Sequence, residues 1–157
     1  PRHGVRRQRQ MCIRDRDPAA LQGKAIVFEL FGSWCPNCHD AAAWLAELDE
    51  QYADDELSIV GLAFELTGDV QRDVAQVKRY VQRFEIDYPV YVAGLADKKV
   101  ASAQFPLLDR VRAYPTTIFM NQEGKIVAVY HGFSGPATGA AHEQLKAKFR
   151  ETIDRLQ

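Results

Sequence analysis

Apolar residues follow two rhythms along this chain. The first is a near-continuous run. Ala25 to Phe31 is apolar except for Glu29, the pattern of a central strand buried on both faces. Leu57 to Phe64 repeats it and predicts a second buried strand. The other rhythm is helical. After Cys35, the residues Ala41, Trp44, Leu45, Leu48 and Tyr52 stand at i, i+3, i+4, i+7 and i+11 and make one apolar face, which Asp54-Asp55 ends. Asp69 is placed to N-cap a second helix, with a stripe of Val70, Val74, Val77, Val81 and Phe84 expected to pack on the sheet. Tyr88 to Val92 predicts a short strand. Ala96 to Arg112 predicts a short helix and then a loop around Pro106. Thr116 to Met120, a turn at Asn121 to Gly124, and Lys125 to Tyr130 predict an antiparallel pair. A glycine-rich loop from His131 to Gly139 leads to a last helix that buries Ala141, Leu145, Phe149, Ile153 and Leu156. Strands alternating with helices around one core define an α/β layered domain.

The 157 residues suffice for one domain with a substantial core. No apolar run approaches the ~18–20 residues of a membrane-crossing helix. The first sixteen residues stand apart, with six arginines, one acid and Cys12. A basic arm of this kind reads as a solvated tail or as a nucleic-acid or membrane contact. A third reading fits better. Arg6 to Arg16 match, position by position, the translation of a transposase sequencing adaptor. Residues 1–16 are therefore expected to be a disordered adaptor-derived tail, and 17–157 the single folded domain. Without the six arginines and one acid, the net charge moves from −1 to −6 and the case for nucleic acid disappears. Two of the three cysteines remain, both in one motif. Membrane association is expected only through an anchor that stood ahead of this tail.

That motif is Trp34-Cys35-Pro36-Asn37-Cys38, between the first strand and the first helix. Strand, tight turn, Cys-x-x-Cys and helix form a redox arrangement. Cys35 falls at the helix N-terminus, where unpaired N–H groups and the macrodipole favour a thiolate. Pro36 suits the first helical position, since its missing N–H would have had no partner there. Cys35 is the expected nucleophile, attacking one sulfur of a partner's disulfide. Cys38, one turn on and more buried, then resolves the mixed disulfide and leaves a Cys35–Cys38 disulfide. A purely structural staple across so small a loop would add little. Zinc normally takes four ligands, and His39, His131 and His142 form no matching pair.

In these residues the sequence resembles the thioredoxin superfamily, and more narrowly the TlpA/ResA-like disulfide reductases. The resemblance runs from Leu21 to the C-terminus and includes the Ser58 to Ala63 segment, Tyr114-Pro115-Thr116-Thr117 and the Asn121 to Lys125 turn. It implies a thioredoxin-like fold, a central mixed sheet flanked by helices, in which the second helix and the Tyr88 strand are a TlpA-type insertion. It further implies a thiol–disulfide oxidoreductase, acting as a reductant outside the cytoplasm, in a bacterial periplasm or anchored to the membrane. Its partners would be a disulfide-bearing protein substrate and an upstream thiol donor, and no cofactor or metal would be required. Many members carry a glutamate three residues after the second cysteine, where this chain has Ala41.

Glu29 lies inside the apolar strand, six residues before Cys35. The resemblance places a buried acid beneath the dithiol there, with a raised pKa and a role as proton acceptor for Cys38. The alternative is a carboxylate at the sheet's edge, facing solvent or a lysine. Pro115 matches the cis-proline that faces the dithiol in the superfamily, with the Tyr114 amide and carbonyl free to pair with substrate. From sequence alone it reads as an ordinary trans-proline opening a strand. Trp34 and Pro36 complete the expected substrate-contacting set, with Trp34 and Phe31 shaping the rim and the core beneath. Glu65 reads as a solvated loop carboxylate or as an acid behind the dithiol. His39 reads as exposed on its helix. Two other functions remain: a thiol peroxidase with Arg112 stabilising the leaving oxygen, and a copper chaperone using Cys35, Cys38 and His131.

Overall fold

The computed structural model describes residues 21–52, 57–106, 108 and 110–157. The 1–16 tail and Asp54-Asp55 lie outside them. Five strands form one sheet: β1 (Ala25–Phe31), β2 (Leu57–Glu65), β3 (Val90–Leu95), β4 (Thr116–Met120) and β5 (Ile126–His131). Among the described residues four α-helices accompany it: α1 (Pro36–Gln51), α2 (Val70–Arg83), α3 (Lys98–Gln104) and α4 (Ala140–Leu156). The sheet order is β3-β2-β1-β4-β5. β1 pairs in parallel with β2, and β2 with β3. β4 runs antiparallel to β1, and β5 to β4. The near-continuous apolar runs occupy the interior positions, as strands covered on both faces must. Among the described residues, no helix is long and apolar enough to cross a membrane.

Three helical and strand patterns depart from the sequence expectation. β3 starts at Val90, and Tyr88 is buried ahead of it. Pro89 has no N–H to give a ladder, so contact with β2 begins through its carbonyl, which accepts from the Gly61 N–H at 2.9 Å. The α2 stripe is rotated. Val70 is exposed, while Asp73 and Tyr80 are buried beside Val77 and Val81. Asp73 folds back on the preceding turn, accepting from Thr67 Oγ1 at 2.6 Å and the Gly68 N–H at 3.0 Å. A satisfied carboxylate can be buried, and this one turns the first helical turn away from the valine register. In α4, Ala141 is exposed and Leu145 only half-buried; full burial begins at Phe149. Phe149 meets Phe119 and Tyr130 edge-on or tilted at 5.1 and 4.9 Å.

The core joins the sheet to α1 through Ala41, Trp44, Leu45 and Leu48, as the helical spacing predicts. Trp44 also ties α1 to α4. Lys146 Nζ and the Arg150 guanidinium each lie 4.6 Å from its ring centroid, within cation–π range.

Candidate active site

β1 ends at Phe31, and four residues, Gly32 to Cys35, lead into α1 at Pro36. The turn between them is built by hydrogen bonds. Cys35 N–H donates to Gly32 O at 3.1 Å, and Cys38 N–H to Cys35 O at 3.1 Å. Pro36 occupies the first turn of α1, and Cys35 is its N-cap with extended backbone. Gly32 is required here by a close approach: a Cβ at this position would collide with the Trp34 indole. The indole folds back and donates from Nε1 to Phe64 O at 2.9 Å, yet stays 38% exposed.

The two thiols occupy different surroundings. Cys35 is 6% exposed and Cys38 is wholly buried. Cys35 Sγ donates to Tyr114 O at 3.6 Å. The Tyr114–Pro115 bond is cis, which sets this carbonyl opposite the nucleophile. The sequence reading left that carbonyl free for substrate; in the reduced site it is taken by the thiol. The Tyr114 ring meets Trp34 edge-on at 5.8 Å, and burial pushes its phenol up to about 12. Burial, followed by the nearby Glu29 carboxylate, holds the Cys38 thiol well above its ordinary range.

Glu29 is wholly buried on the central strand, opposite Gly61 of β2 and Thr117 of β4. No edge or lysine accounts for it. Burial pushes its carboxyl up to about 8, and a long hydrogen bond from Tyr88 Oη to Oε2, at 3.4 Å, partly restrains the rise. Its Oε1 and Thr117 Oγ1 have no hydrogen-bond partner among the described residues.

Several residues of the site were not singled out by sequence. Tyr80 Oη donates to Cys38 O at 2.9 Å, and its ring stacks on Phe31 at 4.8 Å. It stands three residues after Val77, so a stripe of 73, 77, 80 and 84 would have found it. Tyr88 read only as a strand residue. Glu65 is buried, contrary to a solvated loop acid: Oε1 accepts from the Ser33 N–H at 2.8 Å and Oε2 from Ser33 Oγ at 2.6 Å. Burial raises its pKa, and these two bonds oppose the rise. His39 is half-buried rather than exposed, with Nε2 at 2.7 Å from Ser33 O and its ring against Tyr80 and Phe84. Ser33 is thus held from both sides, which fixes the turn that carries Trp34 and Cys35.

The other candidates stay apart from the dithiol. His131 ends β5, paired with Thr116, with Nδ1 3.5 Å from Thr116 Oγ1. Partial burial and then the Arg112 charge lower its pKa. Among the described residues, no three His, Cys, Asp or Glu side chains are placed to hold a metal ion, so His131 does not complete a copper site with the cysteines. Arg112 is exposed and its charge bears on His131, the surroundings of a surface cation rather than of a peroxide pocket.

A sheet of this order, a Cys-x-x-Cys at the start of the helix after β1 and a cis-proline facing it define a thioredoxin-like fold. The chain belongs to the thioredoxin-like domain family, whose model matches residues 15–145. It is 26% identical over 135 residues to the thiol-disulfide oxidoreductase ResA of Halalkalibacterium halodurans, covering 85% of this chain and 64% of that protein. The chain therefore spans just under two thirds of that relative's length. Among solved structures, it is similar to a thioredoxin-family thiol:disulfide interchange protein from Chlorobium tepidum. That match has a TM-score of 0.66 at 23% identity and covers 88% of this chain and 84% of the other. A secreted Mycobacterium tuberculosis disulfide oxidoreductase has the same fold, with a TM-score of 0.58, 20% identity and 87% coverage of both chains.

Proposed function

We propose that this domain is a thiol–disulfide oxidoreductase that reduces disulfides in protein substrates outside the cytoplasm. The observation that carries the reading is the asymmetry of the dithiol. Cys35 keeps a small exposure and donates to the Tyr114 carbonyl ahead of the cis-proline, while Cys38 is sealed off from solvent near Glu29.

The cycle begins with the Cys35 thiolate attacking one sulfur of the substrate disulfide. That S–S bond breaks, a Cys35–substrate disulfide forms, and the departing substrate sulfur takes a proton. The substrate segment replaces the Cys35 thiol at the Tyr114 carbonyl and lies against Trp34, Pro36 and Pro115. Ionised Glu29 takes the Cys38 proton, as its raised pKa suits it to do near neutral pH. The Cys38 thiolate attacks Cys35 Sγ and releases the second substrate thiolate. The substrate has gained two electrons and the domain holds a Cys35–Cys38 disulfide. An upstream thiol donor returns the two electrons. The extracytoplasmic placement is supported by the similarity to a secreted disulfide oxidoreductase and by the disulfide-permissive chemistry of that compartment.

The test is the reduction potential of the pair, read by thiol alkylation after equilibration with a dithiothreitol or glutathione series. A value below about −220 mV is expected for a reductase. A value near about −120 mV would make the domain an oxidant of exported proteins. The absence of any reversible couple would overturn the reading. Cys38→Ser should accumulate the mixed disulfide, and Cys35→Ser should form none.

A further inference from the structure

Trp34 borders two surfaces. One meets the Tyr114 ring edge-on. The other opens into a cleft of about 370 Å3 between the end of β2 and α2. Trp34 and Leu66 supply apolar ground on one wall, and Leu66 is 65% exposed. Arg72, Gln76 and Arg79 line the other. Those three stand at i, i+4 and i+7 on α2 and form one stripe, while Val77, Tyr80 and Val81 of the same helix enter the core.

Both arginines are exposed. Arg79 Nη2 donates to Gln76 Oε1 at 2.5 Å, and neither guanidinium has a carboxylate partner among the described residues. The acids of the cleft are already engaged. Glu65 uses both oxygens on Ser33, and Asp73 uses both on Thr67 and Gly68. The cleft therefore offers two guanidiniums without a carboxylate partner among the described residues, bordering Trp34, the residue before the nucleophile, on a domain whose net charge from residue 17 onward is −6.

We infer that this cleft docks an acidic stretch of the partner polypeptide next to the disulfide under attack, with Arg72 and Arg79 selecting among substrates. The inference rests on reading Cys35 and Cys38 as the disulfide-exchanging pair. The two arginines lie about 10 Å apart along the helix axis. That is the span of roughly three residues of extended chain at about 3.3 Å each. A segment with two carboxylates at that spacing, laid along α2 from Trp34, meets both guanidiniums. Tyr114 and Pro115 do not line the cleft, so such a segment leaves the Tyr114 carbonyl open to strand-like pairing.

The experiment uses three peptide disulfides that differ only in flanking residues: two glutamates, two glutamines or two lysines. Turnover is compared as kcat/KM, and affinity by fluorescence anisotropy of labelled peptides whose cysteines are replaced by serine. With the wild-type protein the glutamate peptide should exceed the glutamine peptide by about fivefold, as two exposed ion pairs would give. The preference should shrink in about 0.5 M salt and reverse toward the lysine peptide in Arg72→Glu/Arg79→Glu. Equal values for all three peptides, or a preference that survives in the variant, would overturn the inference. If no peptide were turned over, the disulfide-exchange reading would fall. The anisotropy titration, which needs no chemistry, would still decide the cleft: tighter binding of the glutamate peptide supports it, and equal binding overturns it.

Discussion

Glu29 makes the stability of this fold depend on pH. Its carboxyl has an ordinary value of 4.5 when solvated and is pushed up to about 8 by burial. Below 4.5 both folded and unfolded chains carry the proton, and the fold keeps its full stability. Between the two values the unfolded chain ionises while the folded one does not, so stability falls as pH rises and the loss is complete above about 8. Glu29→Gln keeps the shape and removes the titration. The variant should exceed the wild type by a few kcal/mol at pH 8, on the order expected for a shift of this size. It should show little advantage at pH 4. Urea midpoints at the two pH values check this; an equal gap at both would contradict the buried-acid account. The resolving step should be slower in the same variant, and its wild-type rate should climb through about pH 8 as Glu29 ionises. The sequence made Glu29 visible because an acid inside an apolar run is anomalous. It could not make Tyr88 or Thr117 visible as its neighbours, since register across strands is a property of the assembled sheet. Glu65 was misplaced for the same reason. It closes a strand and looks like the start of a loop, while its partner Ser33 lies 32 positions away.

At the scale of elements, local signals carried most of the architecture. β1 has the bounds that its apolar run predicts, and Asp69 caps α2 by accepting at Oδ1 from the Gln71 and Arg72 N–H groups. Asp69→Ala should cost about 1 kcal/mol, read as a lower urea midpoint with an unchanged denaturant slope. An unaffected midpoint would mean that the first turn of α2 is held by Asp73 alone. Where periodicity misled, a side chain at the helix start had other work. Asp73 binds the Thr67–Gly68 turn, and this rotates α2 so that Tyr80 rather than Val70 faces inward. The spacing of the four valines and Phe84 is regular enough to suggest a face, but it carries no record of that tertiary hydrogen bond. α4 shows the complementary case. Its predicted stripe is sound from Phe149 onward, while Ala141 is exposed and Leu145 half-buried.

Across the whole molecule, the dithiol stands where the C-terminal ends of β1 and β2 meet the start of β4. β2 contributes Glu65 and the Phe64 carbonyl, β1 leads into the turn, and the cis-proline enters β4. Each is remote in sequence, so the cysteine motif could announce the chemistry without showing how it is braced. The same arrangement separates the two tryptophans. Trp34 is part of the rim, held by one carbonyl and open to water, whereas Trp44 is 3% exposed and covered by two cations of α4. The protein therefore carries two chromophores with unlike access to solvent. Acrylamide should extinguish the emission of Trp34 readily and leave that of Trp44 largely intact, giving a downward-curving Stern–Volmer plot. Trp34→Phe should flatten it to the shallow line of the protected indole. Oxidation of the neighbouring dithiol should then change the intensity of only the accessible component, which gives this domain its own optical readout of redox state with an internal reference.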